Sequence, residues 1–224
     1  MYTLTQKVVQ LDPFQFKHPF RAMIAGPSMS GKSTLLAGIL QENQSIITPP
    51  PTKIVYCYAR HSPEFEKLKL LSPPVEMHEG LPNLELFDPA QNNLIILDDL
   101  ISQVDNSRAM LNLFTTDSHH MNISVFIVTQ NLYPPGKFTR TISLNCVYLI
   151  VFNNPRDVSQ IDALARQMFP RNPLYFVECY DTMIEEPYGY LLCDHTQTTR
   201  RENRVQTGIL NNEKRFVYRP ITNN

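Results

Sequence analysis

The sequence predicts an α/β fold in which a mostly parallel central sheet is covered by helices on both faces. Short, almost entirely apolar runs recur along the chain, as expected for strands that are buried on both sides of a parallel sheet. Segments with apolar residues at helical spacing lie between these runs, and strands that alternate with helices are typical of parallel sheets. The 224 residues, of which 42% are apolar, are enough for one well-cored domain.

The pattern assigns each element in order along the chain. The predicted strands span residues 20–25, 54–59, 94–97, 123–129, 147–152 and 188–193. The predicted helices span residues 32–42, 103–114, 156–168 and 174–183. Residues 62–91 are rich in proline and charge and give no clear pattern.

Composition excludes several classes of protein. No run approaches 18 apolar residues, so we expect no membrane-spanning segment and no membrane partner. The start of the sequence lacks the compact apolar core and small-residue cleavage site of a secretory signal, so we expect a protein that is not secreted. The four cysteines are scattered without a CxxC pair, which suits reduced thiols in the cytosol or nucleus and gives no metal-site spacing.

Charge is distributed unevenly along the chain. The net charge is −1, but residues 196–224 contain six basic and two acidic residues. A basic tail on an acidic body is compatible with a polyanion as partner. A solvated terminal extension accounts for the same charge, so composition leaves both interpretations open.

A phosphate-binding loop is the clearest motif. Residues 26–34 match GxxxxGK[ST] in full, with a predicted strand before them and a predicted helix after them. The glycines permit backbone conformations in which successive N–H groups converge on an anion, and the helix N-terminus also favours negative charge. Lys32 should reach the β- and γ-phosphates of ATP, and the Ser33 hydroxyl should bind Mg²⁺. The expected nucleotide-binding residues are Gly26, Pro27, Ser28, Met29, Ser30, Gly31, Lys32, Ser33 and Thr34.

Two carboxylates follow the apolar run at 94–97. An acid at such a strand end holds Mg²⁺ in proteins with this loop, often through water, and we assign that role to Asp98. A second carboxylate can activate the attacking water, and Asp99 is the candidate. The structural alternative is a pair of helix-capping aspartates. The nucleotide interpretation requires Lys32 and both acids to meet from adjacent strand ends around one triphosphate–magnesium complex.

Other polar residues could complete the site. Gln130 follows the strand at 123–129, where an amide can hydrogen-bond the γ-phosphate or position water, although it could also simply end the strand. Nucleotide hydrolases with this loop often add an arginine from the neighbouring subunit. Arg140 is the first candidate because it lies in the polar segment beyond Gln130; Arg108 and Arg156 are the others. Adjacent histidines at 119–120 lack a completing cysteine or acid at a known metal spacing.

Six segments along the chain carry a family likeness. They are HPFRAMIAGPSMSGKS at 18–33, LIILDDL at 94–100, LFTTDSHHMNISVFIVTQN at 113–131, KFTRTISLN at 137–145, FNNPRD at 152–157 and LARQMFP at 164–170. Together these segments resemble the viral DNA-packaging ATPases of the FtsK/HerA superfamily. The likeness is to the poxvirus-type branch and is closest to the versions in Maverick/Polinton elements and adintovirus-like viruses. It covers about two thirds of the chain, and the 113–170 stretch is more specific than the phosphate loop.

The resemblance implies a RecA-like, three-layer P-loop NTPase that hydrolyses ATP with Mg²⁺ as a homo-oligomeric ring. It implies that the ring drives double-stranded DNA into a capsid, with capsid proteins as further partners, in the host nucleus or cytoplasm or in the virion. It also implies that Asp98 and Asp99 are the metal-side and water-activating acids, and Gln130 the sensor. Many members have Asp-Glu at the acid pair, so the shorter Asp99 leaves the identity of the base open.

The expected organisation is an N-terminal extension at 1–17, an ATPase domain at 18–195 and a basic tail at 196–224. Other function classes fit the sequence less well. A small-molecule kinase needs an arginine-rich lid and an acceptor pocket, and neither is clear. A GTPase-like switch needs a guanine-reading NKxD motif, which the sequence lacks. A regulatory protein that binds ATP without hydrolysing it remains open.

Overall fold

The computed structural model describes residues 5–10, 12–63 and 65–221. Its strands are β1 Thr5–Val9, β2 Phe16–Lys17, β3 Arg21–Ala25, β4 Ile47–Thr48, β5 Lys53–Tyr58, β6 Val75–Glu79, β7 Asn93–Asp98, β8 Ile123–Thr129, β9 Tyr148–Phe152, β10 Tyr190–Asp194, β11 Val205–Thr207 and β12 Phe216–Pro220.

The helices lie mainly between the strands of the central sheet. They are α1 Lys32–Gln41, α2 Asn43–Ile46, α3 Phe65–Leu68, α4 Ile101–Asp105, α5 Arg108–Asn112, α6 Ser118–His120, α7 Thr139–Asn145, α8 Ser159–Met168 and α9 Pro173–Ile184. A π-helical turn at Leu113–Asp117 joins α5 to α6, and 3₁₀ turns lie at Leu84–Leu86 and Arg201–Asn203. None of the helices in the described ranges is both long enough and apolar enough to cross a bilayer.

Ten strands form the central sheet in the order β1-β12-β11-β10-β9-β3-β8-β7-β5-β6. The strands from β9 to β6 are parallel to one another, as predicted from their apolar runs. The strands from β10 to β1 extend the sheet with antiparallel pairs. The sheet is therefore mostly parallel where the phosphate loop lies, with an antiparallel extension on one side.

The strand order corrects one expectation. The phosphate loop follows β3 and the acid pair follows β7, but β8 pairs with both of these strands and lies between them. The prediction that the loop and the acids come from adjacent strands is therefore wrong. Apolar runs identify buried strands but carry no information on which strand pairs with which.

Two cores cover the two faces of the sheet, because successive side chains on a strand point to opposite faces. On β3, Ala22 and Ile24 pack into the core beneath α1, whereas Met23 and Ala25 pack into the core beneath α4, α5 and α7–α9. Helices on both faces of one sheet make three layers, which confirms the predicted fold class.

Most predicted elements agree with the structure to within one or two residues, but two predicted helices differ from it. The segment 103–114 is interrupted: α4 ends at Asp105, and the Ser107 side chain caps α5 by accepting a hydrogen bond from the Met110 N–H. The helix predicted from residue 156 begins at Ser159, because Pro155 and Arg156 first form a turn that the Asp157 N–H closes by donating to the Asn154 carbonyl.

Both ends of the described chain take part in the sheet. β1 lies within the expected N-terminal extension, and it pairs with β12, which lies within the expected basic tail. β11 and β12 join that pair to β10 and so to the centre of the sheet. The described parts of both flanking segments are thus packed against the domain of residues 18–195.

Candidate nucleotide site

The phosphate loop connects β3 to α1 at the carboxyl edge of the sheet. Gly31 precedes α1 with a φ of 104°, a left-handed conformation that glycine adopts without strain. At Gly26, an added Cβ would lie 2.6 Å from the Phe152 Cβ, so the neighbouring strand leaves no room for a side chain. These two positions explain why the loop needs glycine at both ends of the motif.

The N-terminus of α1 is available to an anion. Gly31 provides no side-chain cap, and the first intrahelical bond runs from the Leu35 N–H to the Gly31 carbonyl. The preceding N–H groups of the first turn therefore have no partner within the helix. Ser33 and Thr34 lie exposed in this turn. Free N–H groups and the helix dipole together make a site for phosphate.

Lys32 folds back onto its own loop. Its Nζ donates hydrogen bonds to the carbonyl oxygens of Gly26, at 2.6 Å, and Pro27, at 2.7 Å. Burial lowers the pKa of Lys32, while the negative charges of Asp98 and Asp99 act to raise it. The charged lysine is thus held inside the loop and interacts electrostatically with both acids.

A buried hydroxyl in the same loop supports the fit of a phosphate. Ser30 Oγ is buried and makes no hydrogen bond within the described part of the chain. Buried polar atoms in proteins are nearly always hydrogen-bonded, so this hydroxyl beside the N-terminus of α1 fits an oxygen-rich ligand such as phosphate. Ser28 and Met29 form the exposed tip of the loop.

Asp98 is the last residue of β7 and is partly buried. Tyr56, on the neighbouring β5, donates a hydrogen bond of 2.7 Å from its hydroxyl to Asp98 Oδ2. Burial raises the pKa of Asp98 and the nearby Asp99 raises it further, whereas the Tyr56 hydrogen bond and the Lys32 charge lower it. Together with the Ser33 hydroxyl, this carboxylate offers the hard oxygen ligands that Mg²⁺ prefers.

Asp99 lies exposed at the turn between β7 and α4. Its φ is 56°, in the left-handed region that aspartate tolerates better than most residues. The N-cap of α4 is Leu100, and no side chain caps that helix. The structure therefore does not support the alternative in which these aspartates serve as helix caps.

Gln130 lies between the phosphate loop and the acid pair. Ala25 pairs with Thr129, so Gly26 and Gln130 leave neighbouring strands at the same level, and the Gly26 N–H donates to the Thr129 carbonyl at 3.2 Å. Asp99 and Gln130 line one cleft of about 450 Å³. The structure thus brings the loop, the two acids and the glutamine to one edge of the sheet.

Asp105 was not predicted from the sequence, yet it joins the acid pair to the helix that carries Arg140. This buried carboxylate, at the end of α4, accepts hydrogen bonds from the backbone N–H groups of Lys137 (2.7 Å), Phe138 (2.5 Å) and Thr139 (2.9 Å). A Cβ added at Gly136 would lie 2.5 Å from the carboxylate. A lone acid in a helical segment gives no sequence signal for such a contact.

The candidate arginines lie outside the cleft that Asp99 and Gln130 line. Arg140 is exposed on α7, beside a cleft of about 560 Å³ between α7 and α8. Arg108 is exposed on α5, and Arg156 lies in the turn before α8. No arginine is among the residues that line the Asp99–Gln130 cleft, within the chain as described.

The adjacent histidines do not form a metal site. His119 and His120 are exposed at the end of α6. Within residues 5–10, 12–63 and 65–221, no group of three or more His, Cys, Asp or Glu side chains is arranged to hold a metal ion.

Comparison with solved structures bears on the fold of the chain. No protein-family model matches the sequence, and no curated protein matches it. The chain is similar to the genome packaging NTPase B204 from Sulfolobus turreted icosahedral virus 2 in complex with sulfate, with a TM-score of 0.51 and 12% identity over 82% of this chain and 95% of B204. The same protein in complex with ATP-gammaS gives a TM-score of 0.48 and 11% identity, over 80% of this chain and 94% of B204. The likeness at a TM-score of 0.51 shows that this chain has the three-layer α/β fold of a P-loop NTPase.

Proposed function

We propose that this protein is an ATPase that assembles as a homo-oligomeric ring and uses ATP hydrolysis to move double-stranded DNA into a viral or virus-like capsid. The observation that carries the proposal is the meeting of Lys32, the Asp98–Asp99 pair and Gln130 at one sheet edge. Such a set combines a phosphate-binding loop, a metal-side acid, a candidate base and a neutral sensor, which are the parts that phosphoryl transfer to water requires.

The proposed binding step uses the phosphate loop. Lys32 exchanges the carbonyl oxygens of Gly26 and Pro27 for the β- and γ-phosphates, whose charge is a stronger partner for an ammonium group. The Ser30 hydroxyl and the free N–H groups of α1 donate to the same phosphates. Ser33 and Asp98 would hold Mg²⁺, which would neutralise charge on the phosphate oxygens.

The proposed chemical step uses the residues of the cleft beyond the loop. Water attacks the γ-phosphorus while the bond between this phosphorus and the leaving oxygen of ADP breaks. Asp99 accepts the proton that the water loses, and Gln130 positions that water by hydrogen bonding without adding charge. Asp99 suits this role because it is exposed and its side chain does not cap α4. Asp98 is fixed by Tyr56 and is therefore better suited to holding the metal.

An arginine from a neighbouring subunit would complete the site, and Arg140 remains the first candidate. It is exposed in the first turn of α7, and Asp105 anchors that turn to the helix that follows Asp99. Movement of the acid pair on hydrolysis would therefore reach Arg140 through a short connection. An arginine supplied by the neighbouring subunit stabilises the charge that develops in the transition state.

Cations at the sheet edge opposite the phosphate loop support a DNA partner. β10 ends at Asp194, opposite Tyr148 at the start of β9, so the basic segment that follows begins at that far edge. The guanidinium of Arg201 lies 5.8 Å from the centre of the Phe169 ring. Arg219 donates to the side chain of Asn203, which holds it beside the same segment.

Further cations extend this surface without acidic partners. Lys17 Nζ donates to Thr198 Oγ1 at 3.1 Å. Arg204 lines a cleft of about 410 Å³, and its Nε is buried with no hydrogen-bond partner in the described chain. The ion pairs that join described residues are Lys53–Glu76 and Lys69–Glu66, and neither involves an arginine. Cations that are not neutralised internally suit contact with DNA phosphates.

The comparison supports the packaging role because the similar protein B204 is named a genome packaging NTPase. The resemblance of residues 113–170 to viral packaging ATPases points the same way and brings capsid proteins as further partners. We accordingly propose a host nuclear or cytoplasmic protein that also associates with the virion.

Phosphate release from ATP by the full chain, measured with and without duplex DNA, tests the proposal. We expect turnover that rises several-fold when duplex DNA is added. Turnover that rises instead with a small hydroxyl acceptor would indicate a kinase, and nucleotide binding without turnover would indicate a regulatory protein. Electron microscopy with a non-hydrolysable nucleotide and duplex DNA tests the ring, since monomers under those conditions would contradict it.

A further inference from the structure

A second recess opens beside the phosphate loop, on the side away from the acid pair. Its volume is about 220 Å³. It is lined by residues of the loop and α1, of the strands β9 and β10, and of the C-terminal segment: Gly31, Thr34, Leu35, Phe152, Tyr188, Tyr190, Leu210 and Glu213. The recess is smaller than the roughly 300–1,000 Å³ of pockets that enclose drug-sized ligands, and it suits one planar ring system.

The position of this recess follows from the direction in which a nucleotide must lie. In the proposed function, the cleft that Asp99 and Gln130 line receives the terminal phosphate, which is the one hydrolysed. The cavity that includes Gly26 and Gln130 measures about 10 Å³, room for about one water molecule. The recess with Gly31 and Thr34 begins where the loop joins α1, which places it beside the end of the nucleotide that points away from the hydrolysis cleft.

Tyr188 is held at the mouth of this recess in an unfavourable backbone conformation. Its φ is 59°, which is uncommon for a bulky residue, and its side chain is 73% exposed. A Cβ added at Gly31 would lie 3.4 Å from the Tyr188 Cβ, so the aromatic residue stands directly against the phosphate loop. Strained residues of this kind cluster at binding sites, and this one lies in the turn closed by the Gly189 N–H and the Glu186 carbonyl.

The C-terminal segment forms the opposite wall. Leu210 packs against α1 so closely that a Cβ added at Gly38 would lie 2.7 Å from the Leu210 Cδ1. Glu213 Oε2 accepts hydrogen bonds from the Tyr190 hydroxyl and from the Leu210 N–H, which fixes the carboxylate on the wall of the recess. A fixed carboxylate only accepts hydrogen bonds, so it favours a ligand that presents an amino group.

We propose that this recess binds the adenine base of ATP, with the ring of Tyr188 stacked on the base and Glu213 accepting a hydrogen bond from its exocyclic amino group. Phe152 and Leu210 provide the apolar surface that a base requires on its other side. The inference rests on the nucleotide binding within the proposed function, and it is independent of DNA movement. It assigns residues 188–213, beyond the phosphate loop, a direct part in recognising the nucleotide.

The test compares the binding of two ligands by calorimetry: a non-hydrolysable ATP analogue, which has a base, and tripolyphosphate, which has none. In Tyr188→Gly we expect affinity for the ATP analogue to fall about tenfold, as for loss of one base–aromatic stack, while affinity for tripolyphosphate stays at the wild-type value. Tyr188→Phe keeps the ring and should bind both ligands as the wild type does.

Tyr188→Gly also separates binding from folding. Glycine adopts a φ near 59° without strain, so the melting temperature of this variant should equal or exceed that of the wild type. A second variant, Leu210→Asp, changes the opposite wall of the recess. It should lower the affinity for the ATP analogue and leave the affinity for tripolyphosphate unchanged.

Two results would overturn the inference. One is wild-type affinity of Tyr188→Gly for the ATP analogue, and if turnover of that variant were still stimulated by DNA, the proposed function would survive without the recess. The other is an equal loss of affinity for both ligands, which would mean that Tyr188 acts on the phosphate loop and not on the base. A wild-type protein that binds neither ligand would overturn both the recess and the proposed function.

Discussion

The hydroxyl of Tyr56 donates a hydrogen bond of 2.7 Å to Asp98 Oδ2, across two neighbouring strands at the edge of the sheet where the phosphate loop lies. This bond fixes one oxygen of the acid and favours its charged form, against the burial and the Asp99 charge that favour protonation. The orientation of Asp98 therefore depends on a residue that no nucleotide-binding motif includes.

Replacing Tyr56 by phenylalanine should lower the apparent affinity of the site for Mg²⁺. The variant keeps the buried ring but loses a hydrogen bond whose net value is about 1 kcal/mol, so we expect the Mg²⁺ concentration for half-maximal ATPase activity to rise about fivefold. Turnover at saturating Mg²⁺ should change less. A Mg²⁺ titration of phosphate release checks this, and an unchanged half-maximal concentration would show that Tyr56 does not orient the acid.

Asp105 should contribute to stability through the three N–H groups that it accepts. Asp105→Asn should lower the free energy of unfolding at pH 7 by about 2 kcal/mol, because an amide leaves at least one buried N–H donor facing another donor. Gly136→Ala should destabilise as well, since the new methyl group would meet the carboxylate. Urea unfolding measures both effects, and wild-type stability in Asp105→Asn would contradict the proposed connection.

The contribution of Asp105 should also depend on pH with a definite sign. Burial acts to raise the pKa of this carboxyl, but the three backbone hydrogen bonds outweigh burial and hold the pKa below its ordinary value. The stabilisation is therefore complete above the unfolded-state pKa of about 3.9, and it is lost as the pH falls through the lowered folded-state pKa. The difference between wild type and Asp105→Asn should be constant near neutrality and shrink below about pH 4.

Charge reversal at the sheet edge opposite the phosphate loop should weaken DNA binding and leave ATP hydrolysis unchanged. Arg204→Glu should weaken duplex binding uniformly across sequences and lower its dependence on salt, as expected when a phosphate contact is lost. Basal ATP hydrolysis should remain, because Arg204 lies at the edge away from the phosphate loop. Lys67→Glu, at an exposed position on α3, is the matched control. Equal DNA binding by both variants and the wild type would exclude the surface.

The sequence predicted the central strands well because each is a short apolar run buried on both faces. The run at 123–129, for example, matches β8 throughout and is wholly buried. β11 and β12 could not be predicted in the same way. They are short, they carry charged or polar residues such as Gln206 and Arg219, and they form only because β1 and β10 supply partners from distant parts of the chain.

The candidate site was predicted as far as local motifs reach. The phosphate loop and the acid pair are contiguous patterns whose chemistry is fixed by residue type. The insertion of β8 between them depends on strand pairing, which no local pattern encodes. Tyr56, Asp105 and Tyr188 act through contacts with residues 30 or more positions away, so only the folded structure identifies them.

The central claim is that Lys32 and the Asp98–Asp99 pair act on one nucleotide. Asp99→Asn is the most direct test, because it removes the proposed base and keeps the size of the side chain. We expect it to bind Mg-ATP with nearly wild-type affinity while its rate of phosphate release falls roughly 100-fold or more. Lys32→Ala serves as the comparison, and it should lose ATP turnover because the phosphate loop no longer has its lysine. When ATP binding and single-turnover hydrolysis are measured on the same preparations of Asp99→Asn, binding should therefore be retained and hydrolysis lost. Wild-type hydrolysis by Asp99→Asn would contradict the account. So would a pair of results in which Asp99→Asn loses ATP binding while Asp98→Asn still hydrolyses ATP.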